Sequence, residues 1–168
     1  MNDPIEIVAS KLAHLSKKWN PEITDHVEDI RYGVALRINY YSVVLGCLII
    51  GFVTGKVLET IVSMISFILL RRFTGGLHMP TLTLCFFVSI ALMSGIPHIS
   101  LAQNISIVLN IISLVLVLFL SERRQRHNLM GACMLIGSNF ILNSDVIAMS
   151  FLAQSVLLIR LGKGVKQP

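Results

Sequence analysis

The sequence has little charge for its length. Lysine, arginine, aspartate and glutamate make up 14% of its 168 residues, whereas soluble domains usually carry about 25%. The mean hydropathy is +0.76, and several apolar runs approach the ~20 residues with which a helix crosses a bilayer. This composition excludes a typical soluble domain and predicts an all-α integral membrane protein, a single helical bundle over residues 1–168.

Cysteine is also scarce. Cys47, Cys85 and Cys133 are the only three, and none belongs to a CxxC or CxxH pair. This usage excludes a disulfide framework and a zinc site. We therefore expect at least one free thiol, with no metal and no cofactor.

The N-terminal stretch lacks the continuous apolar core of a signal peptide. Over residues 4–19, Ile5, Val8, Leu12 and Leu15 recur at helical spacing, with charged residues on the other positions. This pattern predicts an amphipathic helix, within residues 1–20, that lies at the membrane interface. An ordinary packed surface helix is the alternative.

Apolar segments within residues 22–161 predict about six transmembrane helices, followed by a flexible tail at 162–168. The predicted spans are residues 34–54, 57–70, 80–95, 101–120, 129–142 and 146–161. A four-span arrangement stays open, because Asn139 and Asn143 would suit a re-entrant pair in place of the last two spans.

The basic residues predict the orientation of the bundle. With both termini in the cytoplasm, all but Lys56 of the 14 lysine and arginine residues fall in cytoplasmic segments, as the positive-inside rule requires. The net charge of +5 therefore indicates membrane topology rather than nucleic-acid binding, since these residues lie at the ends of apolar spans.

One segment between two apolar runs combines residues that could take part in catalysis: Arg71, Gly75, Gly76, His78 and Cys85. A cysteine peptidase needs a thiolate nucleophile and an imidazole that takes and returns a proton. On an unbroken helix, positions seven apart lie roughly 10 Å apart along the axis, too far for a hydrogen bond. We therefore expect a loop over residues 71–79, with a new helix from residue 80, so that His78 can fold back towards Cys85.

The spacing Arg-x3-Gly-Gly-x-His-x6-Cys resembles the AgrB family, membrane-embedded cysteine endopeptidases of Gram-positive bacteria that process precursors of cyclic signalling peptides. The resemblance implies that Cys85 and His78 are catalytic and that Arg71, Gly75 and Gly76 orient the loop or the substrate. It also implies an AgrD-like precursor peptide as substrate, a thiolactone or lactone product, a homodimer, and a site near the cytoplasmic face of the plasma membrane.

Other interpretations remain open. Arg71 also suits a simple topological anchor, and the glycines could serve the turn or supply a backbone oxyanion donor. No third residue is assignable as the group that orients His78, because the intramembrane polar residues equally suit interhelical hydrogen bonds. Those candidates are Asn39, Ser42, Ser63, Ser66, Asn104, Asn110 and Asn139. A small peptide transporter or a non-catalytic membrane scaffold are the alternative functions.

Overall fold

Helices make up almost all of the described chain. The computed structural model describes residues 3–20, 24–75, 81–121 and 126–159, and these residues contain seven α-helices and no strand. In chain order they are α1 (Pro4–Trp19), α2 (Val27–Thr54), α3 (Val57–Thr74), α4 (Leu82–Gly95), α5 (Gln103–Leu120), α6 (Arg126–Leu142) and α7 (Asp145–Val156), with a 3-10 turn (Ile96–His98) after α4. The all-α prediction is confirmed.

Helix α1 has the bounds that its periodicity predicts. Ala9 and Ala13 are fully buried, and their small side chains let α1 lie along α2, with a further contact to α4. The exposed apolar side chains on the rest of α1 are Ile7, Val8, Leu12, Leu15 and Trp19. The helix is thus amphipathic, and its place at a membrane interface stays a prediction.

Some helix ends differ from the prediction. Helix α2 begins at Val27, seven residues before the predicted span of 34–54, and His26, with an extended backbone, takes the N-cap position. Glu28 and Asp29 then lie in the first turn, where negative charge suits the helix dipole. Helix α7 ends at Val156, five residues before the predicted end at 161, in a tighter turn closed by a bond from Ile159 N to Val156 O at 2.9 Å.

Helix α7 lies at the centre of one half of the bundle. It packs against α3 and α5, while α6 covers α3 and α5, and α2 packs against α1, α3 and α4. Two clusters of buried side chains form the core. The first comprises Leu70, Val117, Ala132, Ile136, Phe151 and Leu158, and the second Val43, Cys47, Phe67 and Met93.

The distribution of polarity suits a lipid environment. Within the described residues, α2 and α5 are long and apolar enough to cross a membrane, yet only 17% and 22% of their most apolar windows are buried. Large apolar side chains such as Phe52, Phe87 and Phe119 are exposed, whereas many serines are buried. The protein is therefore a membrane protein, and the predicted count of six spans stays a prediction.

Buried polar side chains join the helices. The hydroxyls of Ser150 in α7 and Ser63 in α3 share a hydrogen bond at 3.0 Å. Asn139 of α6 donates to Asn110 of α5 at 3.2 Å and to the Ser144 carbonyl at 3.0 Å. Such bonds are worth about 1 kcal/mol in membranes, and they give Ser63, Asn110 and Asn139 a structural role.

Two glycines of α6 provide a matched test of this packing. A Cβ on Gly131 would lie 2.6 Å from Phe73 Cε1 of α3, whereas a Cβ on Gly137 would meet nothing within 4 Å. Alanine is favoured over glycine in a helix by about 1 kcal/mol, but an overpacked contact costs about 1–3 kcal/mol. We expect Gly137→Ala to keep or raise the thermal midpoint in detergent, and Gly131→Ala to lower it relative to Gly137→Ala. Equal midpoints would contradict the contact between Phe73 and α6.

Candidate active site

The predicted loop at residue 71 is in fact helical. Helix α3 continues for four residues beyond Leu70 and carries Arg71 and Arg72 in its last turn. The correction has a physical cause: Phe73 packs on the core and the Thr74 side chain is fully buried. Packing thus extends the helix as far as the first glycine.

Gly75 ends α3 with a backbone that favours glycine. Its φ of 78° and ψ of −148° lie close to a region essentially restricted to glycine. Its N–H still donates to Arg71 O at 2.9 Å, so the chain departs from the helix at this one residue. Gly76 and His78 lie outside the described residues.

Cys85 lies in the first turn of α4. The Thr81 hydroxyl caps this helix by accepting from Leu84 N at 3.2 Å, and Cys85 N donates to Thr81 O at 3.1 Å. The helix begins at Leu82 rather than at residue 80, which places Cys85 nearer to its start than the sequence suggests. The thiol is half-buried, and its Sγ lies 4.0 Å from the hydroxyl oxygen of Ser89.

The other two cysteines have different surroundings. Cys47 is fully buried in the second core cluster, and Cys133 is half-buried on α6. All three thiols are free. Among the described residues, no three His, Cys, Asp or Glu side chains form a group that could hold a metal ion.

Asp3 links the N-terminal helix to the helix that carries Cys85. Its buried carboxylate accepts from Ile5 N at 3.0 Å, from Thr83 N at 3.0 Å and from the Thr83 hydroxyl at 2.6 Å. One side chain thus caps the first turns of both α1 and α4. Asp3 before Pro4 is a recognisable N-cap signature, but sequence reasoning missed the bond to Thr83.

Gln154 of α7 contacts the end of α3. This fully buried side chain donates from Nε2 to Gly75 O at 2.8 Å and to the Thr74 hydroxyl at 3.4 Å. The Ser121 hydroxyl adds a bond to Thr74 O at 3.4 Å. Sequence reasoning missed Gln154, whose only signal was a strongly polar residue within an apolar segment.

These contacts lie on both sides of residues 76–80, which include His78. Gln154 binds Gly75 at the end of α3, Asp3 binds Thr83 in the first turn of α4, and Cys85 lies in the same turn.

Removing the Asp3 carboxylate tests the link between α1 and α4. Asp3→Ala leaves the Ile5 and Thr83 donors without their acceptor, and loss of an N-cap typically costs about 0.5–2 kcal/mol. We expect a lower thermal midpoint in detergent and faster proteolysis within α1. Asp25→Ala, which removes an exposed carboxylate, is the matched control and should leave both unchanged.

The same link should depend on pH. Burial raises the pKa of the Asp3 carboxyl, but the hydrogen bonds from Thr83, Ile5 and Leu82 outweigh it and lower the pKa below its ordinary value. A depressed carboxyl pKa stabilises the fold above about pH 4, and this stabilisation is lost as the pH falls through the folded-state pKa. The difference in thermal midpoint between wild type and Asp3→Asn should therefore shrink below about pH 4. A difference that stays constant down to pH 2 would contradict the ionised link.

Comparisons with known proteins complete the description of this site. A family model described as Accessory gene regulator B matches residues 7–123, which contain most of α1 and all of α2 to α5. A curated relative from Halalkalibacterium halodurans, named "Putative AgrB-like protein", is 29% identical over 100 residues, which cover 60% of this chain and 51% of the relative. The chain thus spans about half the length of that relative. No solved structure gives a significant match.

Proposed function

Because the chain belongs to the AgrB family, we propose that it is a membrane-embedded cysteine endopeptidase with Cys85 as nucleophile and His78 as general base. Family membership supports a role in the agr quorum-sensing system. The peptidase activity, its residues, its substrate and its partners are the proposal. The observation that carries it is the position of Cys85, which is half-buried in the first turn of α4, four residues after the extended N-cap residue Thr81.

Residues seven apart on an unbroken helix lie roughly 10 Å apart along the axis, but this separation does not apply to His78 and Cys85. Thr81, between the two residues in sequence, has an extended backbone with φ −136° and ψ 147°, so His78 and Cys85 do not share a continuous helix. His78 is three residues from Gly75 and three from Thr81, and covalent reach limits its Cα to about 11 Å from each of theirs. Chain connectivity is therefore compatible with an imidazole near the Cys85 thiol.

The proposed reaction proceeds through an acyl-enzyme. His78 takes the thiol proton as Cys85 Sγ attacks the carbonyl carbon at the junction between the future signal and its C-terminal tail. The C–N bond then breaks, and the imidazolium returns the proton to the departing amine. This leaves a thioester on Cys85, which retains an activated acyl group.

Ring closure follows from that thioester. A side-chain thiol or hydroxyl of the same peptide attacks the acyl carbon and loses its proton, and the Cys85 sulfur leaves and recovers a proton. The product is a thiolactone or a lactone. Water has to be kept from the thioester, and the half-buried position of Cys85 is favourable for that.

Substrate and location are proposed on charge. Arg71 and Arg72 lie at the end of α3, on the predicted cytoplasmic side, and an acidic tail of an AgrD-like precursor would complement them. We place the site at the cytoplasmic face of a bacterial plasma membrane that the chain crosses several times. A homodimer is the family expectation that we adopt.

The direct test is co-expression with an AgrD-like precursor encoded beside the gene, with products read by mass spectrometry. Wild type should release the C-terminal tail, and Cys85→Ala and His78→Ala should lose at least about 100-fold of this activity. If the retained fragment is cyclised, its mass should be lower by one water than that of the same fragment in linear form with a free C-terminal carboxyl group. The matched control is Cys133→Ala, a half-buried cysteine of α6, which should keep full activity.

Membrane abundance must be equal across these variants. Tail release that persists in Cys85→Ala would refute the thiol mechanism and favour a transporter or scaffold. Loss in Cys85→Ala with full activity in His78→Ala would retain the nucleophile and reject the proposed base.

A further inference from the structure

Gln154 differs from the buried serines of its own helix in the group to which it donates. The hydroxyls of Ser150 and Ser155 donate to the carbonyl one turn earlier in α7, as small polar residues in membrane helices commonly do. The Gln154 amide instead donates to the backbone carbonyl of Gly75, at the end of α3, at 2.8 Å. Its partner is thus the residue at which the chain departs from the helix.

The chemistry of the contact decides the orientation of the amide. The Gly75 carbonyl can only accept, so the NH₂ group of Gln154 has to face it. This leaves Gln154 Oε1 buried, with no hydrogen-bond partner among the described residues. An unpaired buried amide oxygen costs free energy, so apolar packing alone does not account for a glutamine at this position.

The bond fixes the direction in which the chain leaves α3. The carbonyl of Gly75 belongs to the rigid, planar peptide unit that leads out of α3, so holding its oxygen holds the plane in which the chain continues. Two successive glycines have more backbone freedom than any other pair, and an external hydrogen bond removes part of that freedom. His78 follows three residues later in sequence, so the direction in which this peptide unit leaves α3 limits the positions that the proposed base can reach.

We propose that Gln154, building on the peptidase function proposed above, is a positioning residue that holds the Gly75 peptide unit so that the histidine-bearing segment meets the Cys85 thiol. Gln154 does not touch substrate in this role and acts through Gly75. It lies beyond the residues that the family model matches, which end at residue 123. Helix α7 therefore contributes to the site as well as to the core.

The primary variant is Gln154→Met, which keeps the size of the side chain and removes the donor. The substitution removes the unpaired amide oxygen, but it also takes the Gln154 donor from the Gly75 carbonyl, so a lower thermal midpoint is expected. A positioning role therefore predicts lost reactivity in Gln154→Met at temperatures well below its own thermal midpoint, where the protein is folded. The matched control is Ser150→Ala, one turn earlier on α7, which removes the bond to Ser63 of α3 but leaves the Gly75 turn intact.

The readout uses iodoacetamide and the full-length protein in detergent. In a Cys47→Ala/Cys133→Ala background, Cys85 is the only thiol left, and its alkylation rate against pH reports its pairing with an imidazole. Gln154→Met should shift this profile towards that of His78→Ala, while Ser150→Ala keeps the parent profile. Turnover of the co-expressed precursor should fall about 10- to 100-fold, because small misplacements of a catalytic group have effects of this size.

Gln154→Glu provides a conservative variant with a distinctive signature. A protonated carboxyl can still donate to Gly75 O, whereas an ionised one cannot. Its turnover, relative to that of wild type at the same pH, should therefore decline as the pH rises through the pKa of the introduced carboxyl. Gln154→Met should show no such dependence.

The outcomes separate this inference from the function beneath it. A profile that changes in His78→Ala but not in Gln154→Met, with precursor turnover within about twofold of wild type, would overturn the role of Gln154 and keep the peptidase. A parallel loss of thermal midpoint and reactivity in Gln154→Met and Ser150→Ala would reduce Gln154 to packing and also overturn it. A profile unchanged in His78→Ala would overturn the Cys–His pair itself, and the positioning role with it.

Discussion

The hydrogen bonds at the end of α3 and the start of α4 are the constraint on which the rest of the site depends. The last C=O and the first N–H groups of a helix have no partner within that helix, and lipid cannot provide one, so the protein has to do so. Two buried side chains far apart in sequence provide these partners. Gln154 donates to the carbonyl of Gly75, 79 residues earlier, and Asp3 accepts from Thr83, 80 residues later. Tertiary contacts thus hold both helix ends.

Packing of the bundle and geometry of the site are coupled through the same helices. Phe151 of α7 lies in the first core cluster, and Gln154, one turn later, reaches the Gly75 turn. Phe73 packs between that core and Gly131 of α6, two residues before Gly75. Changes in the packing of α6 or α7 should therefore affect the end of α3 more directly than they affect α4.

The bundle places small polar side chains inside and large apolar ones outside. Lipid provides no hydrophobic force between helices, so close approach and interhelical hydrogen bonds hold them together. The contact between Ser63 and Ser150 and that between Asn110 and Asn139 are of this kind. Besides these paired groups, three buried side-chain oxygens have no hydrogen-bond partner within the described residues: Asn39 Oδ1, Ser106 Oγ and Gln154 Oε1.

The sequence by itself determined what depends on neighbouring residues. Apolar spacing predicted α1 over residues 4–19 and the succession of apolar helices, and the spacing from Arg71 to Cys85 indicated the family. Tertiary structure alone decided where α3 ends, because burial of Thr74 and packing of Phe73 extend it through residues that local charge assigned to a loop. It also decided which polar residues bind the end of α3 and the start of α4. Asp3 and Gln154 are 80 and 79 residues from their partners, and hydrogen bonds over such separations exist only once the helices have packed.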